Sequence, residues 1–347
     1  MQIVAESLDD LFSRVFERLL SSKTRVRATR GETIERIGVL LKLKNPRARL
    51  SRTESRGKVF SALGELLWYL SGSNKMEHIA YYLKKYRDEA EDDGTVWGAY
   101  GPRLVSLHGK HNQIQNVCEL LKINRTSRRA VVQLFDGGDI ANPHLLECRK
   151  KEIPCTCTLQ FLVRKDRLHM FTSMRSNDAY FGLQHDVFAF TMMQELVARA
   201  IGIELGSYHH FVGSLHLYDR DFQAAGKFMD EGWQANLPMP AMPNGDQWEN
   251  VEKLISVEKR IRLSKKAIWC ETKLPGYWDD LARLLYAFRL LKKDDQKGIG
   301  AIRQRMHSKV FNTYLQPRKK RPVVAGPLSQ PSFDLPPSIA SNADSTK

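Results

Sequence analysis

Residues 153–161 read Ile153-Pro154-Cys155-Thr156-Cys157-Thr158-Leu159-Gln160-Phe161, and Arg175-Ser176-Asn177-Asp178 follow further along the chain. Residues 158–164 (TLQFLVR) and 168–173 (LHMFTS) are rich in β-branched and aromatic side chains and predict strands. Cys155 therefore stands where one strand begins, and Arg175 just past the end of the next. Working outward, 128–135 (RRAVVQLF) and 208–218 (YHHFVGSLHLY) predict two more strands. Residues 7–20, 57–72 and 186–201 carry apolar residues at helical spacing, the second stretch stopping on Gly72. Helices and strands mix without a regular βαβ alternation, which predicts an α+β domain.

After Tyr218 come a short helix, a Pro-rich connector over 237–245, and helical patterns at 247–264, 277–292 and 296–314. This divides the chain into a main domain over 1–243, a helical appendage over 244–316, and a tail over 317–347. The tail is made of Pro, Ser, Ala and basic residues with little to bury, and reads as disordered.

The 347 residues include 42% hydrophobic ones, enough for one large core or two modest ones, and carry a formal charge of +15. That charge favours phosphate-bearing partners, a nucleotide or a nucleic acid; a generally basic, solvated surface is the alternative. No apolar run approaches the ~20 residues needed to span a bilayer, and the first residues lack the basic-then-apolar order of a secretory signal, so a cytosolic location is expected. Five cysteines (Cys118, Cys148, Cys155, Cys157, Cys270) argue against a disulfide framework and leave reactive, buried or metal-bound thiols.

The Pro-Cys strand entry with Gln160 five residues after the cysteine resembles the thymidylate synthase family. So do Arg175-Ser176-x-Asp178-x-x-x-Gly182 and Gly213-x-x-His216-x-Tyr218. Upstream, Glu65-Leu66-Leu67-Trp68 resembles the family's Glu-Leu-Leu-Trp helix, Tyr100-Gly101 its Tyr-Gly, and Arg128-Arg129 the arginine pair given across a dimer interface. The resemblance implies an α+β fold on a large, bent mixed sheet with flanking helices. It also implies a homodimer with shared active sites, and condensation of a pyrimidine nucleotide monophosphate with 5,10-methylenetetrahydrofolate. Asp178 and Gly182 match positions that contact the folate, and Arg30 is carried over from a blurred phosphate loop, Thr29-Arg30-Gly31-Glu32.

The residues make chemical sense for that reaction. Carbon 5 of a pyrimidine is a poor nucleophile until something adds to carbon 6, and a thiolate is well suited to add and later leave. Cys155 is the candidate. Its alternatives are a buried inert thiol, or a metal set of Cys148, Cys155 and Cys157 with His169, whose spacing matches no common zinc pattern. Arg175 suits two jobs, lowering the thiol pKa and gripping the phosphate. Ser176, with Arg128 and Arg129 of a partner subunit, completes the phosphate site by resemblance; a surface ion pair is the alternative for each arginine. His216 and Tyr218, two apart on a strand, share a face and reach a sugar hydroxyl together, whereas His209 and His210 read as structural. Glu65 within an apolar helix suits a general acid/base, or else a buried salt bridge. Tyr100 either orients a proton-carrying water or packs.

The chain also departs from a methylating enzyme. Asp186 stands where the family places the asparagine that reads uracil, and a carboxylate favours cytosine's amino group over uracil's O4. The alternative for Asp186 is an N-cap to the helix beginning nearby. Tyr86 aligns with a tryptophan that shields the intermediate from water, Ser214 replaces an aspartate, and the family's closing segment has no match in 315–347. A less sealed site lets water quench the intermediate, so 5-hydroxymethylcytidylate is the expected product. A divergent thymidylate synthase and a non-catalytic nucleotide or nucleic-acid binder are the competing readings.

Overall fold

Seven strands form one mixed sheet: β1 (Gln2–Ala5), β2 (Arg25–Ala28), β3 (Gly31–Leu43), β4 (Val131–Gln133), β5 (Thr156–Arg164), β6 (Arg167–Asp178) and β7 (Glu204–Tyr218). The strand order is β1-β3-β7-β6-β5-β4, with β2 paired to β3. β6 and β7 run parallel, whereas β3 meets β7 and β5 meets β6 antiparallel. The computed structural model describes residues 1–28, 30–53, 58–140, 152–265, 269 and 272–316. The tail over 317–347 and the cysteines at 148 and 270 lie outside them.

Eleven α-helices flank the sheet within the described residues: α1 (Leu8–Leu20), α2 (Val59–Leu70), α3 (Met76–Ala80), α4 (Tyr86–Glu89), α5 (Tyr100–Val105), α6 (Gln113–Ile123), α7 (Gly182–Ala200), α8 (Phe222–Asp230), α9 (Trp248–Leu263), α10 (Gly276–Lys292) and α11 (Gln296–Gln304). α7 is buried along nearly its whole length and packs on β6, β7 and α2. α2 buries ten of its twelve residues, Glu65 among them, because it is sandwiched between α7 and α10. A helix apolar on every side is stable only when packed all round. No described helix is long and apolar enough to cross a membrane.

Several boundaries differ from those the sequence suggests. The strand expected over 128–135 shrinks to Val131–Gln133, and the one expected over 168–173 extends to Asp178. The last helical pattern breaks into α11 and a 3-10 segment, Lys309–Leu315. Met1–Gln316 form one compact unit, so the division expected at 243/244 marks no break in packing: α10 lies against α2, and the buried Tyr82 hydroxyl donates to Glu258 Oε1 at 2.9 Å.

Candidate active site

The sheet register assembles the site. Parallel pairing of β6 with β7 sets Ser176 beside Ser214 and Asp178 beside His216, while β3 sets Glu35 on the other side of His216. Cys155 stands just before β5 and is tied to β6 by its carbonyl, which accepts the Arg175 N–H at 2.9 Å; the register of β5 on β6 then shifts between Thr156 and Thr158. β6 and β7 approach so closely here that a Cβ on Gly213 would lie 2.8 Å from the Arg175 carbonyl oxygen, which is why only glycine fits.

These elements enclose a cavity of about 840 Å³. Cys155, Glu65, Tyr100, Asp186, Arg30, Arg175, Ser176, Asp178, Gly182, His216 and Tyr218 all line it. Arg128 and Arg129 do not. They are exposed on the turn before β4 and form no ion pair among the described residues; their hydrogen bonds there are made by the backbone, the Arg128 carbonyl accepting from Gln160 Nε2 at 3.0 Å and the Arg129 N–H donating to Ser127 Oγ at 3.1 Å.

Cys155 is a free thiol, and burial pushes it up to about 11. Arg175 pulls the other way, but Glu152 and Asp186 add to the rise. Burial outweighs the lowering by Arg175. The Arg175 guanidinium instead ties down the chain before the cysteine, donating to the Pro154 and Ile153 carbonyls at 3.0 Å each.

Asp186 sits inside the second turn of α7, which begins at Gly182 rather than at 186, so the N-cap alternative is excluded. Its carboxyl is buried and held up to about 8, first by burial and then by the nearby Glu65; the hydrogen bond from Asn177 Nδ2 to Oδ2, at 2.6 Å, opposes the rise. Glu65 makes no salt bridge among the described residues; its Oε1 accepts the Tyr86 hydroxyl at 2.7 Å. Tyr100 accepts from the Thr156 N–H at 3.1 Å and the Thr156 hydroxyl at 2.9 Å, which leaves its own O–H to donate into the cavity beside Cys155.

The phosphate and sugar side is more crowded than the motifs suggest. Arg30 reaches the cavity but is held by two carboxylates, Glu89 at 3.0 Å and Glu152 at 2.7 Å. Neither acid was singled out in the sequence, and nothing in their local pattern marks them. His216 Nδ1 lies 3.5 Å from Ser176 Oγ, its ring meets Tyr218 edge-on at 5.1 Å, and Arg220 covers the Tyr218 ring. Ser214, where the family has an aspartate, donates its hydroxyl to Glu35. His210 is buried against the Tyr208 hydroxyl and driven down to about 3 by burial, and His209 stacks on Phe171, so both are structural. Among the described residues no group of three or more His, Cys, Asp or Glu could hold a metal; Cys148 lies outside them.

The thymidylate synthase family model matches residues 8–254. Among curated relatives, a deoxyuridylate hydroxymethyltransferase of Delftia phage PhiW-14 is 29% identical over 218 residues, 60% of each chain. A deoxyuridylate hydroxymethyltransferase of Pseudomonas phage M6 is 32% identical over 163 residues, 46% of this chain and 44% of the relative. The chain thus spans less than two thirds of the length of either relative. With most of the motifs converging on one cavity and the family model covering strands β2 to β7 and α7, the chain belongs to the thymidylate synthase family.

Proposed function

We propose that this protein hydroxymethylates carbon 5 of a pyrimidine nucleoside monophosphate, with Cys155 as nucleophile and cytosine as the base met by Asp186. The observation that carries the reading is the shared cavity, in which a thiol, a carboxylate under a tyrosine hydroxyl and a buried carboxyl line one space. Cys155 adds to carbon 6, giving up its proton as it attacks, and carbon 5 becomes nucleophilic. Asp186 meets the pyrimidine edge, His216 and Tyr218 meet the sugar, and Arg175 with Ser176 meets the phosphate. Glu65, steadied by Tyr86, moves protons at carbon 5 and activates the water that ends the reaction. A tyrosine hydroxyl on Glu65, at the position aligned with the shielding tryptophan, supports hydration rather than reduction of the transferred carbon, and so do the printed names of the phage relatives.

The donor of that carbon is 5,10-methylenetetrahydrofolate, which supplies it at the oxidation level of formaldehyde. The residues fit a folate. Asp178 Oδ1 is engaged by the Tyr180 and Phe181 N–H groups, its other oxygen accepts no hydrogen bond among the described residues, and the Phe181 ring and Gly182 adjoin it on the cavity wall. A carboxylate beside an aromatic face suits the donor edge of a pterin. Arg128 and Arg129, exposed and without an ion pair among the described residues, support a homodimer in which each subunit lends both arginines to its partner's phosphate site.

A second reading takes uracil as the base. Both phage relatives carry deoxyuridylate in their names, and a carboxyl held up to about 8 is neutral at pH 7, so it can donate to O4 while accepting the N3 proton. The test is turnover of dCMP, CMP and dUMP with methylenetetrahydrofolate. A 5-hydroxymethyl product without dihydrofolate supports the proposal and names the base. Dihydrofolate formed in step with product makes the protein a methylating enzyme, and no turnover of any nucleotide turns the reading toward a binder.

A further inference from the structure

Asn177 belongs to none of the roles assigned so far, although it lies on the cavity wall between Ser176 and Asp178. It is only 4% exposed. Its Nδ2 donates to Asp186 Oδ2 at 2.6 Å, while its Oδ1 is buried and accepts no hydrogen bond among the described residues. Leaving a buried acceptor unsatisfied costs free energy, so the amide is held in this orientation by what it does for Asp186. Gly182 leaves the room for it: a Cβ there would stand 3.0 Å from Asn177 Nδ2 and 3.5 Å from Asp186 Oδ2.

A neutral carboxyl differs from an amide in one respect that matters for base reading. An amide presents its donor and acceptor on different atoms, whereas an acid's proton can sit on either oxygen. Uracil needs a donor toward O4 and an acceptor toward N3, and cytosine needs the reverse. An unconstrained neutral Asp186 would satisfy both bases equally by moving its proton.

We propose that Asn177 is the specificity-determining partner of Asp186: by donating to Oδ2 it keeps that oxygen an acceptor and confines the acid proton to Oδ1. The side chain then meets the base with donor and acceptor in one fixed order, as an amide would. This rests on the proposed C5 chemistry but holds for either base, because it concerns the contrast between them. Burial, which holds Asp186 up to about 8, keeps the proton present at neutral pH.

The test is kcat/KM for dCMP and dUMP, measured by tritium release from carbon 5 in the full-length protein and in the Asn177→Ala and Asn177→Asp variants. The wild type is expected to prefer one base by about tenfold or more. Asn177→Ala should bring the ratio toward one. Asn177→Asp has nearly the same shape but faces Asp186 with an acceptor, draws the proton onto Oδ2, and should move the ratio toward the disfavoured base. Loss of packing alone would depress both nucleotides alike and leave their ratio unchanged. A wild type that uses both bases equally, or a ratio unmoved in Asn177→Asp, would overturn the role of Asn177. Absence of tritium release from both nucleotides in the wild type would instead overturn the proposed chemistry beneath it.

Discussion

Cys155 should resist ionisation in the nucleotide-free protein. The thiol is pushed from 9.0 up to about 11, chiefly by burial, with Glu152 and Asp186 adding to the rise and Arg175 opposing it. Two pH units correspond to about a hundredfold fewer thiolates than an unshifted thiol would have at the same pH. At pH 7.5 the thiolate fraction is roughly three in ten thousand. Iodoacetamide reacts with the thiolate, so the rate of Cys155 modification, followed by peptide mapping, should climb nearly tenfold per pH unit from pH 7 to pH 10. The slope isolates ionisation from access, since access scales the whole curve. Glu152→Gln removes a negative charge that raises the thiol and should increase the rate at any fixed pH, while Arg175→Ala should decrease it. A plateau below pH 9 would mean that Arg175 outweighs burial. A thiol that stays protonated at neutral pH ties ionisation to the attack itself.

Three further outcomes follow from the same geometry. Asp186 should be neutral below about pH 8 and ionise above it, so nucleotide turnover that needs its proton should fall on the alkaline side, and Asp186→Asn should abolish that limb of the pH–kcat/KM profile. Tyr86→Phe removes the hydroxyl that Glu65 accepts and should lower kcat by about ten- to a hundredfold with little change in KM, as read from initial rates. Arg49 and Glu195 form a fully buried ion pair whose carboxylate also accepts the Met242 N–H, so Arg49→Ala leaves a buried charge stranded and should cost about 3–5 kcal/mol in urea denaturation.

The parts of the fold legible in the sequence are those where one signal dominates. α2 and α7 declare themselves through apolar density, and β5, β6 and β7 through β-branched and aromatic runs. β3, thirteen residues long, gave no such signal. Its alternation changes phase around Gly38, which adopts φ +62, so Ile34 is buried before it and Val39, Leu41 and Leu43 after it, with Glu32, Glu35 and Arg36 diluting the apolar residues. The candidate side chains that line the cavity were legible because each sits in a short motif. What those motifs hid were pairings made only by the fold: Tyr86 on Glu65, Asn177 on Asp186, and Glu89 with Glu152 closing on Arg30. Asn177 carried a faint signal as a buried polar residue between two motif positions. The two glutamates carried none, since charged residues in exposed-looking stretches read as solvated.

The proposed chemistry begins when Cys155 adds to carbon 6 of a pyrimidine. A 5-fluoropyrimidine nucleotide tests it most directly, because fluorine at carbon 5 cannot leave as a proton does and the adduct accumulates. The protein incubated with 5-fluoro-dCMP or 5-fluoro-dUMP and methylenetetrahydrofolate should gain the mass of nucleotide plus folate, on the peptide that contains Cys155, and Cys155→Ser should gain nothing. No adduct with either nucleotide, or an adduct that persists in Cys155→Ser and maps to Cys157, would contradict the account.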